Sequence, residues 1–393
     1  MYEAITRAAV ARNSYILADP DQAIDELVVD IEKLREQMER EEAMVDAVQK
    51  AQTIWQYHAL RKAQKRLEEI AGADKSERES IHARAMWDLE FIILAKYRPA
   101  LVVEHNPTSD GYVLQGAIGS LGTVQDRGQT WDEIIAPVTH TPGGIIWNAQ
   151  RTGRVELAGR QRFASRWVGT CFLYDNHLAM TNRHVLSEGS CALDSGGAVR
   201  CESSVSLEIN WEKLRRLRPG TNLKRFLSKV QAVPYMAAPA QPDCGMVELA
   251  KEYLSPLDIQ WDPIPTEELQ GRLVYVIGHP GPDSSENSSV VSMVFDRRQL
   301  GCKHVMLGQL HATNPLAEVD GLPALVHDCS TLKGTSGSCL VDLGPKDRQQ
   351  LPGLSFGKVI GLNSCGNGGL GGLTPANYAV PTWKLSEIFK NLQ

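Results

Sequence analysis

The sequence predicts a multidomain α+β protein in which an α-helical bundle or coiled coil precedes a domain built mainly of β-strands. Only one of the 33 glycines and two of the 20 prolines lie in the first hundred of the 393 residues, whereas 34 of the 88 charged residues do. A segment almost free of Gly and Pro favours long helices, and a Gly- and Pro-rich segment favours short strands and tight turns. We therefore expect a helical domain at residues 1–98, a connecting segment at 99–149 and a strand-rich domain at 150–393.

The helical domain is predicted from its caps and from the spacing of its apolar residues. Asp19 and Pro20 are typical of a helix start, and the apolar residues from Ile24 to Val48 follow the three- and four-residue steps of a coiled coil. Asp74, with Glu77 three residues later, is a capping signature that predicts the start of a further helix. The pattern fits either a bundle packed on the neighbouring domain or a docking and oligomerisation module that binds a regulatory or activating protein.

The overall composition excludes several classes of protein. With 42% hydrophobic and 22% charged residues, the chain is neither disordered nor fibrous. A net charge of −6 gives no general reason to bind nucleic acid, and the absence of a long apolar run predicts a cytoplasmic protein with no membrane partner. The exception is residues 213–229, which are rich in Lys and Arg and contain no acid. This basic segment is either a solvated surface insertion or a weak candidate for binding nucleic acid or an acidic partner.

The cysteines predict neither a metal site nor a cofactor. Eight Cys residues form no CxxC pair and no zinc-type grouping with His, so we interpret most of them as buried thiols in a reducing compartment. Cys191 and Cys201 are close enough in sequence to form a disulfide, although the compartment argument favours free thiols. The GNGGLG run at 366–371 is interpreted as a flexible loop beside the substrate groove, because no helix follows it as a dinucleotide site would require.

Three residues in the strand-rich domain have the chemistry of a nucleophilic triad. Residues 168–185 predict a β-hairpin that presents His184 at a strand end, Asp243 opens a strand-like run, and Ser336 lies in the turn GTSGS. A serine hydroxyl becomes a strong nucleophile when an imidazole removes its proton, and a carboxylate keeps that imidazole in the required tautomer. His184 would be the base and then the acid, and Asp243 would orient it.

The glycines around Ser336 predict an oxyanion hole. A GxSG turn allows the backbone N–H groups of Gly334 and Ser336 to point at one position, where they would stabilise the negative charge of a tetrahedral intermediate.

Five segments carry a family resemblance: TNRHV around His184, the run at Asp243, GTSGS around Ser336, VYVIGHP at 274–280 and VIGLNSCG at 359–366. Together they resemble the trypsin-like serine peptidases of chymotrypsin fold, above all the bacterial intracellular branch with HtrA-like and glutamyl-endopeptidase-like domains. The resemblance covers roughly residues 145–393. It implies an all-β double barrel with a C-terminal helix, a triad between the barrels, and peptide-bond hydrolysis through an acyl-enzyme.

The resemblance also places the substrate pocket. Ser330 should lie at its base, and Leu362, Asn363 and Ser364 should form its wall and the strand that pairs with substrate. A neutral base gives no partner for Lys or Arg, so we expect cleavage after a small or medium uncharged residue. Asp328 lies close enough to complicate this prediction.

Two departures from the family suggest an unusual activation. Thr335 stands where secreted trypsins have the Asp that pairs with a new N-terminus, and Val185 stands where they have a disulfide Cys. We therefore expect a serine endopeptidase that is activated by a partner through its N-terminal helices. Proteins that resemble this arrangement are often encoded in bacterial antiviral systems. The alternatives are a catalytically dormant scaffold that binds proteins and a protease controlled by nucleic acid on the basic segment.

Overall fold

The computed structural model describes residues 99–106, 111–116, 130–158, 166–202, 206–211, 227–250, 255–281, 295, 300–319, 321–344, 356–366 and 377–389. The helices predicted for residues 1–98 lie outside these ranges, as does most of the basic segment.

The described residues are mostly β-structure with a few short helices. The strands are β1 (Ala100–Asn106), β2 (Gly111–Gly116), β3 (Thr152–Ala158), β4 (Arg166–Leu173), β5 (Leu178–Thr181), β6 (Cys191–Leu193), β7 (Val199–Cys201), β8 (Ser206–Asn210), β9 (Leu227–Met236), β10 (Gly245–Leu249), β11 (Leu273–Gly278), β12 (His304–Gln309), β13 (Leu316–Val319), β14 (Leu322–His327), β15 (Cys339–Gly344), β16 (Val359–Gly366) and β17 (Asn377–Pro381). The helices are α1 (Trp131–Ile135), a 3₁₀ turn (Ala136–Val138), α2 (Ile145–Gln150), α3 (Arg183–Glu188), α4 (Thr266–Leu269) and α5 (Thr382–Phe389).

Six antiparallel strands form a closed barrel in the order β10-β5-β4-β3-β8-β9, which we call the first barrel. A Cβ on Gly153 of β3 would lie 2.5 Å from Ile209 Cγ2 and 2.9 Å from Trp211 Cε3, so only glycine allows β3 and β8 to pack this closely. The barrel encloses its own hydrophobic core, which includes Val155, Cys171, Leu173, Val185, Ile209 and Trp211.

The other nine strands form one antiparallel sheet in the order β13-β14-β17-β16-β15-β11-β12-β1-β2, which we call the second sheet. Its six inner strands, from β14 to β12, curl until their ends meet. Leu310 forms a bridge with His327, and Asp328 N donates to Gln309 O over 3.0 Å. Where the family resemblance implies a second barrel, the structure therefore has a ring of six strands that closes through one bridge rather than a continuous ladder.

Residues of the segment predicted to connect the domains take part in the second sheet. In β1, Ala100 pairs with Met306 of β12, and β2 continues the sheet outward. Leu101 and Val103 of β1 and Trp131 of α1 are buried in the same core cluster as Tyr275 of β11. The described parts of 99–149 thus bury apolar surface against the strand-rich domain, which stabilises their position on it.

Cys191 of β6 and Cys201 of β7 lie directly opposite each other and form a disulfide. The prediction of free thiols at these two positions was wrong, because the tight β6–β7 hairpin places the two side chains on one face at neighbouring strand positions. The other cysteines described with their side chains are buried and free, as the sequence predicts: Cys171, Cys244, Cys302, Cys329 and Cys339. Burial raises the pKa of the Cys244 thiol to about 12, which makes it a poor nucleophile.

In the part of the chain that the structure describes, no helix is both long and apolar enough to cross a membrane.

Candidate active site

His184 and Asp243 contact each other on the first barrel. His184 Nδ1 lies 2.6 Å from Asp243 Oδ2, and the His184 backbone N–H donates to Asp243 Oδ1 over 3.1 Å. The predicted β-hairpin is present as β4 and β5, but His184 does not lie at a strand end as predicted. β5 stops at Thr181, and His184 is the second residue of α3. Asn182, the N-cap of α3, donates from Nδ2 to Asp243 O over 2.8 Å, so the helix start and the Asp243 loop are joined side by side.

The carboxylate of Asp243 is held by several hydrogen-bond donors. Besides His184, the Ser364 hydroxyl donates to Oδ2 over 2.6 Å. Burial by itself would raise the pKa of Asp243, but the hydrogen bond and charge of His184 and the hydrogen bond from Ser364 outweigh it, so that the pKa lies below its ordinary value. Asp243 is therefore ionised at neutral pH and can hold a protonated His184.

Ser336 lies in a tight turn of residues 332–338 before β15, which we call the Ser336 turn. Thr335 N donates to Leu332 O over 3.0 Å, and Ser338 N donates to Thr335 O over 3.1 Å. Gly334 and Gly337 both have a positive φ, of 92° and 88°. A Cβ on Gly337 would also overlap the carbonyl oxygen of Thr170, so glycine is required there by conformation and by space.

Thr170 of the first barrel binds the Ser336 turn at two carbonyl groups. Its backbone N–H donates to Ser336 O and its hydroxyl donates to Gly334 O, each over 2.8 Å. From the second sheet, Gly337 N donates to Asn363 O over 2.9 Å. The turn is thus held from both sides, and its position depends on how the first barrel and the second sheet pack together.

The Gly334 N–H is oriented by a hydrogen bond to the carbonyl of the same peptide group. The carbonyl of that peptide, Lys333 O, accepts a hydrogen bond from Gly281 N over 2.7 Å. Because N–H and C=O of a trans peptide point in opposite directions, the Gly334 N–H points away from Gly281. Within the described ranges, the amides of Gly334 and Ser336 donate no hydrogen bond, so neither is already engaged by another part of the chain.

The Ser336 hydroxyl donates to the backbone carbonyl of Ser364 over 2.9 Å. In the described part of the chain it makes no hydrogen bond to His184. The strand pairing explains why Ser364 reaches both Ser336 and Asp243: the register of β16 against β17 shifts between Asn363 and Cys365. Such a bulge takes the residue at the shift out of the regular ladder and redirects its groups, and here it turns Ser364 towards the site.

The residues predicted for the substrate pocket have different surroundings. Ser330 is buried, and Leu362 is buried in the hydrophobic cluster that also contains Tyr275 of β11 and Phe172 of β4. Asn363 supports the Ser336 turn by donating from Nδ2 to Thr335 O over 3.0 Å. Asp328, which complicated the prediction, accepts a hydrogen bond from Gln309 N over 2.7 Å, so its carboxylate is engaged by β12.

Sequence reasoning missed Thr170 and the contact of Ser364 with Asp243. Thr170 had a detectable signal, because it is a polar residue inside an otherwise apolar strand, where a buried hydroxyl requires a hydrogen-bond partner. Ser364 had none, since a register shift leaves no mark in the pattern of apolar residues.

Among the described residues, no group of three or more His, Cys, Asp or Glu side chains could hold a metal ion.

A comparison with models of known protein families gives one match. Residues 169–344, which include His184, Asp243 and Ser336, match the family model of the trypsin-like peptidase domain. No curated protein matches the chain. Two solved structures with similarity are the inactive and active forms of the Rv3671c protease from M. tuberculosis, each 12% identical with a TM-score of 0.37. The inactive form covers 66% of this chain and 92% of its own, and the active form 61% and 79%.

Proposed function

We propose that this serine endopeptidase, whose residues 169–344 match the trypsin-like peptidase domain, cleaves proteins with a triad of His184, Asp243 and Ser336. The observation that carries the proposal is the 2.6 Å contact between His184 Nδ1 and Asp243 Oδ2, with Ser336 in a turn bonded to the same barrel. Asp243 fixes the proton of His184 on Nδ1, which leaves Nε2 free to accept one.

The reaction would proceed in two halves. Ser336 Oγ bonds to the carbonyl carbon of the scissile peptide while its proton passes to His184 Nε2, and the resulting oxyanion accepts hydrogen bonds from the Gly334 and Ser336 amides. The C–N bond then breaks as His184 protonates the leaving amine. In the second half, water gives a proton to His184 and its oxygen bonds to the acyl carbon, after which Ser336 leaves and regains its proton.

We propose a small or medium uncharged residue on the acyl side of the cleaved bond. Ser330, at the expected pocket base, is buried and neutral. Asp328, two residues before Ser330, accepts a hydrogen bond from Gln309 N of β12 over 2.7 Å, so one of its oxygens is directed at the backbone of that strand. This geometry supports a pocket without a charged partner for Lys or Arg.

The test is the variant Ser336→Ala, compared with Ser386→Ala, which removes a hydroxyl of helix α5 that donates to Trp383 O over 2.7 Å. The wild type and Ser386→Ala should react with a fluorophosphonate probe and release new protein termini in cells, whereas Ser336→Ala should do neither. Mass spectrometry of the new termini reports the substrates and the residue before each cut. Labelling or cleavage that persists in Ser336→Ala would refute the proposal.

A second candidate function is a dormant scaffold that binds proteins without cleaving them. It is favoured by the hydrogen bond from Ser336 Oγ to Ser364 O rather than to His184. Catalytic hydrogen bonds often tighten only when substrate binds, so a latent enzyme has the same geometry. A wild-type chain that never reacts with the fluorophosphonate, even with its partners present, would support the scaffold.

We also propose that residues 1–98 recruit or restrain the protease, in the context of antiviral defence. The support is compositional: a segment of low Gly and Pro content, for which the sequence predicts helices, precedes a protease that has Thr335 in place of the activating Asp. Co-expression of the full chain with the products of neighbouring genes should increase fluorophosphonate labelling of Ser336. Binding of nucleic acid to the basic segment would instead show as a mobility shift at low salt.

A further inference from the structure

We propose that Trp167 of β4 is a positioning residue that holds the Gly334 peptide in the orientation of an oxyanion donor. This inference rests on the proposed function, in which the Gly334 amide stabilises the tetrahedral intermediate. Trp167 does not itself contact the reacting atoms, so its effect would pass through the Ser336 turn.

The indole of Trp167 lies between two glycines. A Cβ on Gly334 would be 2.6 Å from Trp167 Nε1 and 3.0 Å from Cε2, and a Cβ on Gly281 would overlap the six-membered ring of the same indole. The two glycines are joined by the hydrogen bond from Gly281 N to Lys333 O, at 2.7 Å. The ring therefore packs against both partners of the bond that orients the Gly334 N–H.

The indole is supported from behind by Arg154 of β3. Arg154 Cζ lies 5.5 Å from the Trp167 ring, within the range of a cation–π contact. The guanidinium is itself fixed, because it donates to Glu156 over 2.6 Å and to Gly301 O over 3.2 Å. Gly301 N donates to Pro280 O over 2.6 Å, which returns the network to the residue before Gly281.

External support matters because Gly334 has little conformational preference of its own. Glycine populates positive and negative φ about equally, so rotation of the 333–334 peptide costs little unless neighbouring groups prevent it. The φ of Gly334 is 92° in the present orientation of this peptide. An empty space beside the peptide would allow other orientations as well. Trp167 fills most of that space, together with the backbone carbonyl of His279, which lies 2.7 Å from the position of a Cβ on Gly334. A smaller side chain would leave a gap into which the peptide can turn, and the N–H would then leave the oxyanion position.

The experiment measures inactivation by a fluorophosphonate over a range of probe concentrations. Ser336 Oγ bonds to phosphorus, its proton passes to His184 and fluoride leaves, while charge builds on the phosphoryl oxygen beside Gly334. Loss of one oxyanion donor costs about 10²–10³-fold in rate, so we expect Trp167→Leu to lower the maximal inactivation rate by about 10- to 100-fold with little change in half-saturating probe concentration. Trp167→Phe, which keeps an aromatic ring, should recover most of the rate.

The matched control is Trp211→Leu, which removes a second indole, packed in the core of the first barrel. Trp211 is more deeply buried, belongs to the core of the first barrel and donates from Nε1 to Ser228 Oγ over 2.9 Å, a bond that does not involve the Ser336 turn. We expect Trp211→Leu to lower the melting temperature more than Trp167→Leu does, and to leave the inactivation rate at the wild-type value.

The outcomes separate this inference from the proposed function. Equal inactivation rates for Trp167→Leu and wild type, or equal losses in Trp167→Leu and Trp211→Leu that follow their melting temperatures, would overturn the positioning role alone. A wild-type chain that is not labelled at Ser336 would overturn the proposed function and this inference with it.

Discussion

The first barrel and the second sheet hold their parts of the site in different ways. His184 and Asp243 both belong to the first barrel, and their two contacts, at 2.6 and 3.1 Å, lie within it. The Ser336 turn precedes a strand of the second sheet, yet the carbonyls of Gly334 and Ser336 are bound by Thr170 of the first barrel. The contact between His184 and Asp243 thus lies within one barrel, with one further hydrogen bond to Asp243 from Ser364 of the second sheet, whereas the position of the nucleophile depends on the packing between the two units.

This difference predicts unequal sensitivity to distant change. A closed barrel with its own core resists local rearrangement, because moving one strand disturbs the hydrogen bonds of its neighbours. A turn held across two units moves whenever their packing changes. A partner that alters the packing would therefore act first on Ser336 and the oxyanion donors, and least on His184 and Asp243.

The largest expected effect on the cleavage rate comes from breaking the contact between His184 and Asp243 in the first barrel. Asp243→Asn should reduce the rate of substrate cleavage by about 10⁴-fold, because an amide no longer keeps the proton of His184 on Nδ1. The fold should persist, since the side chain is close in size. Steady-state cleavage rates and circular dichroism check both parts. A loss of less than about tenfold would show that Asp243 does not orient His184.

The same variant tests the ionisation of Asp243. A lowered pKa in the folded protein stabilises it at pH values above the ordinary Asp pKa of 3.8, and this stabilisation is lost as pH falls through the folded value. The difference in unfolding free energy between wild type and Asp243→Asn should consequently shrink as pH falls below about 4. Denaturant titrations at several pH values measure it.

A smaller effect on activity is expected from breaking the contact between Thr170 of the first barrel and the Ser336 turn. Thr170→Val keeps the shape of the side chain but removes the hydroxyl that donates to Gly334 O over 2.8 Å. Because the carbonyl is then left without that donor, we expect a cost of about 1–3 kcal/mol and a rate of fluorophosphonate labelling that is lower by about tenfold. Thr139→Val is the control, as its hydroxyl is also buried and donates to Ile135 O over 2.8 Å, a bond within the segment of α1 and the following 3₁₀ turn. Equal labelling rates for the two variants would contradict a role of Thr170 in placing Ser336.

The smallest effect on activity is expected at the disulfide. Cys201→Ser opens a loop of sequence separation 10 and should lower the unfolding free energy by about 2–3 kcal/mol. The labelling rate should not change, because β6 and β7 form a separate hairpin outside the barrel ladder. A reductant should destabilise the wild type but not the variant. Loss of labelling at full folding would show instead that the hairpin positions α3.

The features predicted correctly from sequence are those that depend on local pattern. The strand-rich fold and the serine endopeptidase class are confirmed, because alternating apolar strands, glycine turns and the segments around His184 and Ser336 are each contained in short stretches of chain. The C-terminal helix was predicted for the same reason. The five buried free cysteines followed from their apolar surroundings.

The features that were missed depend on contacts between distant parts of the chain. The role of Ser364 arises from a one-residue register shift, and the opposition of Cys191 and Cys201 arises from a hairpin register. Strand β1 pairs with β12 about two hundred residues later, which no local pattern indicates. Likewise Trp167 lies next to Gly334 only because the first barrel and the second sheet pack together.

The pairing of β1 with β12 also constrains the order in which the chain can fold during synthesis. Ala100 leaves the ribosome before its partner Met306 has been made, and at 5–20 residues per second the interval is about 10–40 s. The first barrel, completed by β10 at Leu249, can form within that time. The His184–Asp243 pair can therefore assemble before β12, the pairing partner of β1, has been made, and the Ser336 turn is made after β12. Synthesis would thus finish the acid–base half of the site before the nucleophile exists.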